Sequence, residues 1–452
     1  MARIHFHFRL GNDDIQAPVA LAGVEIVEVA LIPNQHGLGH CIGTTIDELR
    51  QLGISPTEVG VDFLLLGSAV LTIDKNVSRS GNAEDSWTRE LAISLPVSNP
   101  ALWSEASPQI AKALAFLTGD RWTLEFRPRP EARAIFARPP IPAANLGIDC
   151  ISLLSGGLDS FIGAIDLLSA QSRVMFVSHS AVSTDSGKQR QLVNALKLQF
   201  PDNHPSHLRS SIRFQSAHLD NRAKEDTERS RSFLFYSIAA LAATALPTVN
   251  RIVVPENGLI SLNVPLEELR LGSLSTRTTH PFLVARMNEI FAAVGIRAIL
   301  TNPYQFKTKG EMVRECANHV FLAAELAGTI SCSSPNNARI HYGTNQCGYC
   351  VPCIIRRASL LNNVIPDTTP YGIADLNAQN LPSDKKSGEH IRGFQAAILR
   401  LNNSRLRASI YVHESGPLND HPQSYSEFAG VYLRGIQEVS SLLNGVNTRP
   451  HA

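Results

Sequence analysis

Hydrophobic and polar residues are spaced differently in three successive regions of this chain. In the first region, "RIHFHFRL" alternates apolar Ile4, Phe6 and Phe8 with polar residues, which is typical of a half-buried strand. "LAISLPV" and "WTLEFRPRP" predict two more strands, and "TTIDELRQLG" predicts a helix that ends at Gly53. We therefore predict an N-terminal α+β domain over residues 1–140. The Pro-rich segment "ARPPIPAANLG" that follows predicts a linker.

The second region alternates apolar strands with helices. "IDCISLL", "RVMFVSHS", "SIRFQSAHL" and "RIVVPENG" predict strands, whereas "KQRQLVNALKLQF" and "ERSRSFLFYSIAALAATAL" predict helices. This order is typical of a doubly wound parallel sheet with both faces covered, so we predict an α/β domain over residues 146–365. Helical stretches near Gly393–Leu401 and Tyr425–Leu443 predict a helical C-terminal extension over residues 366–452.

Composition limits the class of protein. The 452 residues are enough for two or three domains, and 41 basic residues against 40 acidic ones give a net charge of +1. This balance offers no general electrostatic attraction for nucleic acid or for a membrane. The apolar runs Val61–Ile73 and Phe233–Leu246 are too short to span a bilayer, and the N-terminus lacks the apolar core of a secretory signal. We therefore expect a cytoplasmic protein with reduced cysteines.

The segment "LLSGGLDSFIGAIDLL" joins a predicted strand to a predicted helix through two glycines. Gly156 and Gly157 allow close approach of the backbone, and the helix start adds N–H groups and partial positive charge, which favours an anion. Ser155 and Ser160 add hydroxyl donors, and Asp159 could hold Mg²⁺ or cap the helix. This loop is not a Walker-type phosphate loop, since no lysine follows the glycines. The structural alternative is a glycine-rich turn without a ligand.

Four of the seven cysteines lie close together in the sequence. Cys347, Cys350 and Cys353 have Cys-x2-Cys-x2-Cys spacing, and Cys332 lies upstream. Four thiolates form the closed shell of a structural Zn²⁺ site. An iron–sulfur cluster is the nearest alternative, because four cysteines also suit it.

The loop sequence "SGGLDS" resembles the pyrophosphate-loop (PP-loop) motif of the N-type ATP pyrophosphatases. The resemblance implies a five-stranded, doubly wound, adenine-nucleotide α-hydrolase-like sheet that binds ATP and Mg²⁺ at its carboxyl edge. With "CGYCVPCIIRR", the chain resembles the QueC family of 7-cyano-7-deazaguanine synthases over residues 148–363, about half its length. The nucleotide-binding residues that follow are Ser155, Gly156, Gly157, Leu158, Asp159, Ser160, His179 and Ser180, the last two facing the adenine.

The same resemblance suggests the remaining site residues. "FKTKGEM" matches the Lys-x-Glu segment of the family through Lys309, and "ERSRSFLF" matches its arginine-bearing helix start through Arg229 or Arg231. These cations, with Asp159, would stabilise charge on the phosphates, although ordinary helix-surface charge is the alternative for each cation.

Three further residues follow from their chemistry. Glu256 could bind a purine-like N–H pair or sit in a turn. Arg277 could meet a carboxylate and His280 could deprotonate an amine, with a solvated loop as the alternative for both.

The chain departs from the biosynthetic enzymes in length, since about 145 residues precede the resembling region and about 90 follow it. This architecture resembles QueC-like proteins of bacterial anti-phage operons, the QatC type. The implied activity is an ATP-dependent ligase that adenylates a 7-deazaguanine carboxylate and transfers it to an amine, on a partner protein of the same operon or on ammonia. The alternatives are another PP-loop amidase, a tRNA-modifying enzyme, or a non-catalytic nucleotide-sensing subunit. An oligomer is compatible with each of these.

Overall fold

The computed structural model describes residues 3–18, 22–33, 37–83, 85–137, 147–180, 183–214, 223–225, 227–266, 277–378 and 380–450. Nearly all of the predicted Pro-rich linker lies outside these residues. Within them the chain forms an α/β structure with two parallel sheets and many helices.

The strands and helices have the following bounds. The strands are β1 (Arg3–Arg9), β2 (Val24–Ala30), β3 (Glu90–Val97), β4 (Arg121–Pro128), β5 (Cys150–Leu153), β6 (Val174–His179), β7 (Ser206–Ser210), β8 (Arg251–Val253), β9 (Ile299–Thr301), β10 (Leu381–Pro382) and β11 (Thr448–Arg449). The helices are α1 (Ile42–Gln51), α2 (Glu58–Asn76), α3 (Arg79–Asn82), α4 (Pro100–Thr118), α5 (Leu158–Ser169), α6 (Ser183–Gln199), α7 (Arg231–Thr244), α8 (Gly258–Leu262), α9 (Pro281–Ala293), α10 (Lys309–Glu315), α11 (His319–Glu325), α12 (Pro335–Tyr342), α13 (Val351–Leu360), α14 (Lys386–Leu401), α15 (Arg405–Tyr411) and α16 (Tyr425–Leu442).

The N-terminal region holds a four-stranded sheet in the order β2-β1-β3-β4, and every pair in it is parallel. The predicted strands are present, but the α+β class is wrong, because helices α1, α2 and α4 cross between the strands as in an α/β unit. The alternation in β1 misled this prediction. His5 and His7 are buried together with the apolar residues between them, so the strand is covered on both faces.

A second sheet has the order β7-β6-β5-β8-β9 and is also wholly parallel. Side chains from its two faces enter different apolar cores: Ile151 and Met175 join α7 and α9, whereas Cys150 and Phe176 join α5 and α6. The predicted α/β sheet with helices on both faces is thus confirmed. The strand order reverses at β5, so the carboxyl ends of β5 and β8 frame the crevice where ligands bind in such sheets.

One strand of this sheet lies elsewhere than predicted. "SIRFQSAHL" was expected to form the third strand, but β7 ends at Ser210, before this segment begins. Ser210 pairs with His179 at the end of β6, and the chain then turns so that the Arg213 amide donates to the His40 carbonyl at 3.2 Å. Ile212 is buried because it packs into the core after the turn, and residues 215–219 of the predicted strand lie outside the described residues.

The N-terminal region and the second sheet share one apolar core. Helix α2 lies along α7, and these two helices contain the most apolar runs of the sequence. Gly60 and Gly67 face Thr244 and Ser237 of α7 so closely that any Cβ at either glycine would collide with the opposing hydroxyl. The close approach lets α7 contact β5 and β6 on one side and α2 on the other.

The C-terminal region is helical, as predicted, and adds the short parallel pair β10-β11. Helix α16 packs against α8 and α13 of the preceding region, in a core that includes Leu259, Ile354 and Tyr432. Across the described residues, no helix combines the length and apolarity that a membrane crossing requires.

Candidate functional site

The glycine loop connects the central strand β5 to helix α5. Gly156 has φ of +90°, a conformation that favours glycine, and Gly157 is the residue that precedes the helix. The hydroxyls of Ser155 and Ser160 lie 3.1 Å apart, and the Gly157 amide donates to Ser155 Oγ at 3.3 Å. The first backbone N–H groups of a helix lack partners within it, so this turn can hold an anion.

Asp159, in the first turn of α5, lies under the loop and is 5% exposed. Its Oδ1 is 2.7 Å from Nζ of Lys309, the first residue of α10, and Lys309 is equally buried. Burial would raise the pKa of Asp159, but the Lys309 ammonium and the hydrogen bonds around the carboxylate lower it below its usual value. The structure thus brings together two of the predicted residues as a buried ion pair.

Glu256 follows β8 at the carboxyl edge, next to the strand that carries the loop. Burial and the charge of Asp159 raise the pKa of Glu256 well above its usual value. Asn257 links the two acids, because its Nδ2 donates to Asp159 Oδ2 at 2.7 Å and to Glu256 Oε1 at 3.5 Å; its backbone N–H also donates to Asp159 Oδ2 at 3.2 Å. The site therefore brings two carboxyl groups and the Lys309 side chain together at the carboxyl edge of the sheet.

A cavity of about 370 Å³ opens beside the end of β6. His179 lines it and is 2% exposed; its Nε2 lies 3.0 Å from the Ile212 carbonyl, and its Nδ1 has no hydrogen-bond partner among the described residues. Burial lowers the pKa of His179 to about 4, so the ring is neutral and presents an acceptor. Arg231 also lines the cavity, with Lys75 and Glu228. Ser180 is buried beside His179, and its amide donates to the Ser210 carbonyl at 2.9 Å.

The cavity and the glycine loop are neighbours. The register of β5 and β6 pairs Leu153 with Val177. Ser155, in the loop after β5, and His179, the last residue of β6, each lie two residues beyond that pair. The Gln189 side chain joins them, because its amide donates to the Ser155 carbonyl at 3.1 Å and to the His179 carbonyl at 3.5 Å. Gln189 therefore connects the glycine loop to the end of β6, where the cavity opens.

Two of the predicted arginines contact the N-terminal region. Arg229 stacks on Trp87, 4.7 Å from the ring centroid, and donates to the Thr118 carbonyl of the N-terminal region at 2.9 Å. Arg277 makes the same two kinds of contact with Phe116, a ring contact at 4.7 Å and a carbonyl bond at 2.9 Å. Both guanidinium groups are thus engaged by the N-terminal region, and of the two arginines near the start of α7, Arg231 is the one at the cavity.

His280 is fully buried and caps α9, because its Nδ1 accepts from the Phe282 amide at 3.2 Å. Burial lowers the pKa of His280 to about 3. A capping imidazole of such low basicity does not suit the predicted role as the base for an amine. Neither the loop nor the cavity includes His280.

The four predicted metal ligands form one buried cluster. The Sγ atoms of Cys332, Cys347, Cys350 and Cys353 all lie within 4.8 Å of one another, and two pairs are 3.9 Å apart. Cys350 precedes α13, whose helical turn then places Cys353 against the other three. This buried cluster could bind a metal ion such as zinc.

Hydrogen bonds connect the cysteine cluster to the glycine loop. Arg356, one turn after Cys353 on α13, is fully buried and donates to Thr329 Oγ1 at 2.7 Å. Gln346, next to Cys347, donates to the Thr329 carbonyl at 3.0 Å. Ile330, the residue after Thr329, donates its amide to the Gly156 carbonyl at 2.8 Å. The segment upstream of Cys332 is therefore held between the cysteine cluster and the loop.

Sequence reasoning did not find all members of the site. Asn257 follows Glu256 in the quoted "PENG", but only the fold shows that it reaches Asp159. Gln189 lies in a helix whose pattern predicts nothing beyond amphipathicity. Glu438 contacts the start of α10 from the C-terminal region, and no local signal marks it.

Comparisons with known proteins add little. No known protein family matches the chain, and no curated protein matches it either. Among solved structures, the chain is similar to a ketoreductase domain from the bacillaene assembly line, with 9% identity, a TM-score of 0.22, and coverage of 76% of this chain and 86% of that one. A likeness at this level does not bear on function.

Proposed function

We propose that this chain is a QueC-like, PP-loop ATP-dependent ligase that adenylates a 7-deazaguanine carboxylate and transfers the acyl group to an amine. The observation that carries the proposal is the buried Asp159–Lys309 pair under the glycine loop, at the carboxyl end of the strand where the sheet order reverses. Loop amides, a cation and carboxyl groups there match what transfer of an adenylyl group needs. We further propose that the protein acts in the cytoplasm.

The chemistry proceeds in two displacements. An oxygen of the substrate carboxylate attacks the α-phosphorus of ATP, the bond to the β-phosphate oxygen breaks, and pyrophosphate leaves. An amine then attacks the acyl carbon of the mixed anhydride, AMP leaves, and the amine loses a proton. In the first displacement, backbone N–H groups at the start of α5 and the Lys309 side chain would stabilise the charge on the phosphates.

Mg²⁺ suits this site by its donor chemistry. Asp159 and Glu256 offer carboxyl oxygens beside the loop, and hard cations prefer oxygen ligands. A cation bound there would oppose the raised pKa of Glu256, because a nearby positive charge favours the ionised carboxyl. When bound, Mg²⁺ neutralises phosphate charge.

Zinc suits the cysteine cluster better than an iron–sulfur cluster does. Four sulfurs placed tetrahedrally about one Zn²⁺ at about 2.3 Å lie about 3.8 Å apart. The two Sγ–Sγ distances of 3.9 Å agree with this spacing. In a four-iron cluster each thiolate binds a different iron, which holds the sulfurs farther apart. We propose a structural zinc that braces the segment next to the loop.

The test is release of pyrophosphate and AMP by purified protein given ATP, Mg²⁺ and 7-carboxy-7-deazaguanine, with and without ammonia. Intact masses of proteins encoded beside it, taken in the same reactions, identify a protein acceptor. Asp159→Asn should abolish release. Asp166→Asn is the matched control, because it changes the same group on the same helix, where Asp166 accepts from the Tyr304 hydroxyl at 2.6 Å and the Ala317 amide at 2.8 Å.

Pyrophosphate release that depends on the deazaguanine acid supports the proposal. ATP binding without turnover under any of these conditions would contradict the ligase and leave a nucleotide-sensing subunit. Turnover that survives Asp159→Asn would show that the loop is not the site.

A further inference from the structure

The C-terminal helix α16 contacts the start of α10 on both sides of Lys309. One carboxylate oxygen of Glu438 accepts from the Thr308 hydroxyl, and the other accepts from the Gly310 amide at 3.3 Å. The approach is tight, since a Cβ at Gly310 would collide with the Glu438 carboxylate. Glu438 therefore bonds Thr308 and Gly310, the residues on either side of Lys309.

A second contact from α16 fixes the same helix start. Thr308 and Glu311 form a reciprocal capping box, in which each side chain bonds the backbone of the other residue. Arg434, one turn before Glu438, pairs with Glu311 at 2.6 Å and donates to the Phe306 carbonyl at 2.9 Å. Helix α16 thus contacts both members of the cap.

Lys309 needs this support because of its position. It is the first residue of a seven-residue helix, yet its ammonium must reach Asp159 inside the protein, and α10 has too few turns to be rigid by itself. A shift of the helix start would move Nζ away from the carboxylate.

We propose that Glu438 is a positioning residue, which places the Lys309 ammonium on Asp159 and so makes the C-terminal region part of the working site. The placement is independent of the ligase activity, whereas its consequence for turnover rests on the proposed function. The C-terminal region would then not be only an addition to the fold.

The rival explanation is that Glu438 merely holds α16 on the protein. A matched control exists, because Asp420 also joins the C-terminal region to the α/β core, through Arg286 of α9 at 2.5 Å. Replacing Asp420 removes another carboxylate contact between these two regions without touching α10.

The experiment measures the reactivity of Lys309 itself, in the full-length protein without ATP. Acetic anhydride at limiting concentration is reacted with wild type, Glu438→Ala, Glu438→Gln, Gly310→Ala and Asp420→Ala, and peptide mass spectrometry gives the acetylation rate of each lysine. Lys309 should react slowly in wild type and in Asp420→Ala. Glu438→Ala and Gly310→Ala should each raise its rate severalfold. Glu438→Gln, which keeps one acceptor oxygen, should fall between.

Turnover supplies the second readout. Pyrophosphate release by Glu438→Ala should show a kcat about ten- to a hundredfold below that of wild type, with a much smaller change in KM for ATP. Unchanged Lys309 reactivity in folded Glu438→Ala and Gly310→Ala would overturn the inference. An absence of turnover in wild type, with the labelling pattern as expected, would instead overturn the ligase proposal and leave the positioning role intact.

Discussion

Replacing Lys309 by methionine tests the electrostatics of the candidate site most directly. Methionine keeps the length and the apolar stem of lysine but removes the ammonium, so Asp159 remains buried without a cation, with the hydrogen bonds from Asn257 at 2.7 and 3.2 Å and the contact with Glu256. Loss of one partner from a buried ion pair costs about 3–5 kcal/mol, since the remaining charge is uncompensated. We expect the lower end, about 3 kcal/mol, because Asn257 still donates to the carboxylate.

The effect should depend on pH in a defined direction. In wild type the pKa of Asp159 is below its usual 3.8, so the pair contributes stability above that value and loses it as the pH falls through the lowered pKa. In the variant, burial has no opposing ammonium and the pKa of Asp159 rises. The variant therefore recovers stability by protonation as the pH falls, and the difference from wild type is larger at pH 8 than at pH 5.

Thermal unfolding at these two pH values measures the difference. A chain of 452 residues has an unfolding entropy of about 1 kcal/mol per kelvin, so the midpoint should fall by about 3 °C at pH 8 and by less at pH 5. The double variant Lys309→Met with Asp159→Asn should regain most of the loss, because it buries no charge. An equal loss at both pH values, or no recovery in the double variant, would refute the buried-pair reasoning.

Three further changes probe other parts of the molecule. Cys350→Ser should release the metal and lower the unfolding midpoint, as checked by elemental analysis beside calorimetry; a fully loaded variant would contradict the four-sulfur site. His280→Asn keeps a side-chain acceptor for the Phe282 amide but removes the titrating ring. Wild type should lose stability as pH falls from 6.5 toward 3, and in denaturant titrations the variant should reduce this loss by up to about 1.4 kcal/mol per pH unit. An unchanged dependence of stability on pH would show that His280 is not buried as a neutral ring. Gly67→Ala should force α2 from α7 at the cost of about 1–3 kcal/mol, measured by thermal unfolding, whereas Gly187→Ala, with open space around it, should cost little.

The parts of the site that lie in one short segment could be predicted from the sequence. The glycine loop with Asp159 and the cysteine cluster are local patterns whose spacing already restricts their geometry. The pairing of Lys309 with Asp159 was not local, but the resemblance of "FKTKGEM" pointed to the lysine. The parallel α/β sheet could be predicted from apolar strands that alternate with helices. The edge strand β7 was predicted too far along the chain, because its own sequence, "SHLRS", has a single apolar residue.

The sequence does not show the place of residues that distant segments position. Arg229 and Arg231 lie two positions apart near the start of α7, and nothing between them shows which one reaches the cavity. The choice is made by Trp87 and Thr118 of the N-terminal region, which engage Arg229. Arg277 is taken by Phe116 in the same way. The sequence alone does not show which arginine the N-terminal region engages.

The flanking regions therefore act on the candidate site through its charges. Asp74 of α2 accepts from the backbone amide of Ser230 at 3.2 Å and from its hydroxyl at 2.7 Å, which fixes the start of α7 immediately before Arg231. Asp74 is itself held by the fully buried Arg89 at 2.6 Å. On the opposite flank, Glu438 holds the start of α10 around Lys309. The positions of Arg231 at the cavity and of Lys309 beside Asp159 thus depend on regions outside the segment that carries the motifs. The chemistry must therefore be tested in the 452-residue chain and not in the motif-bearing sheet alone.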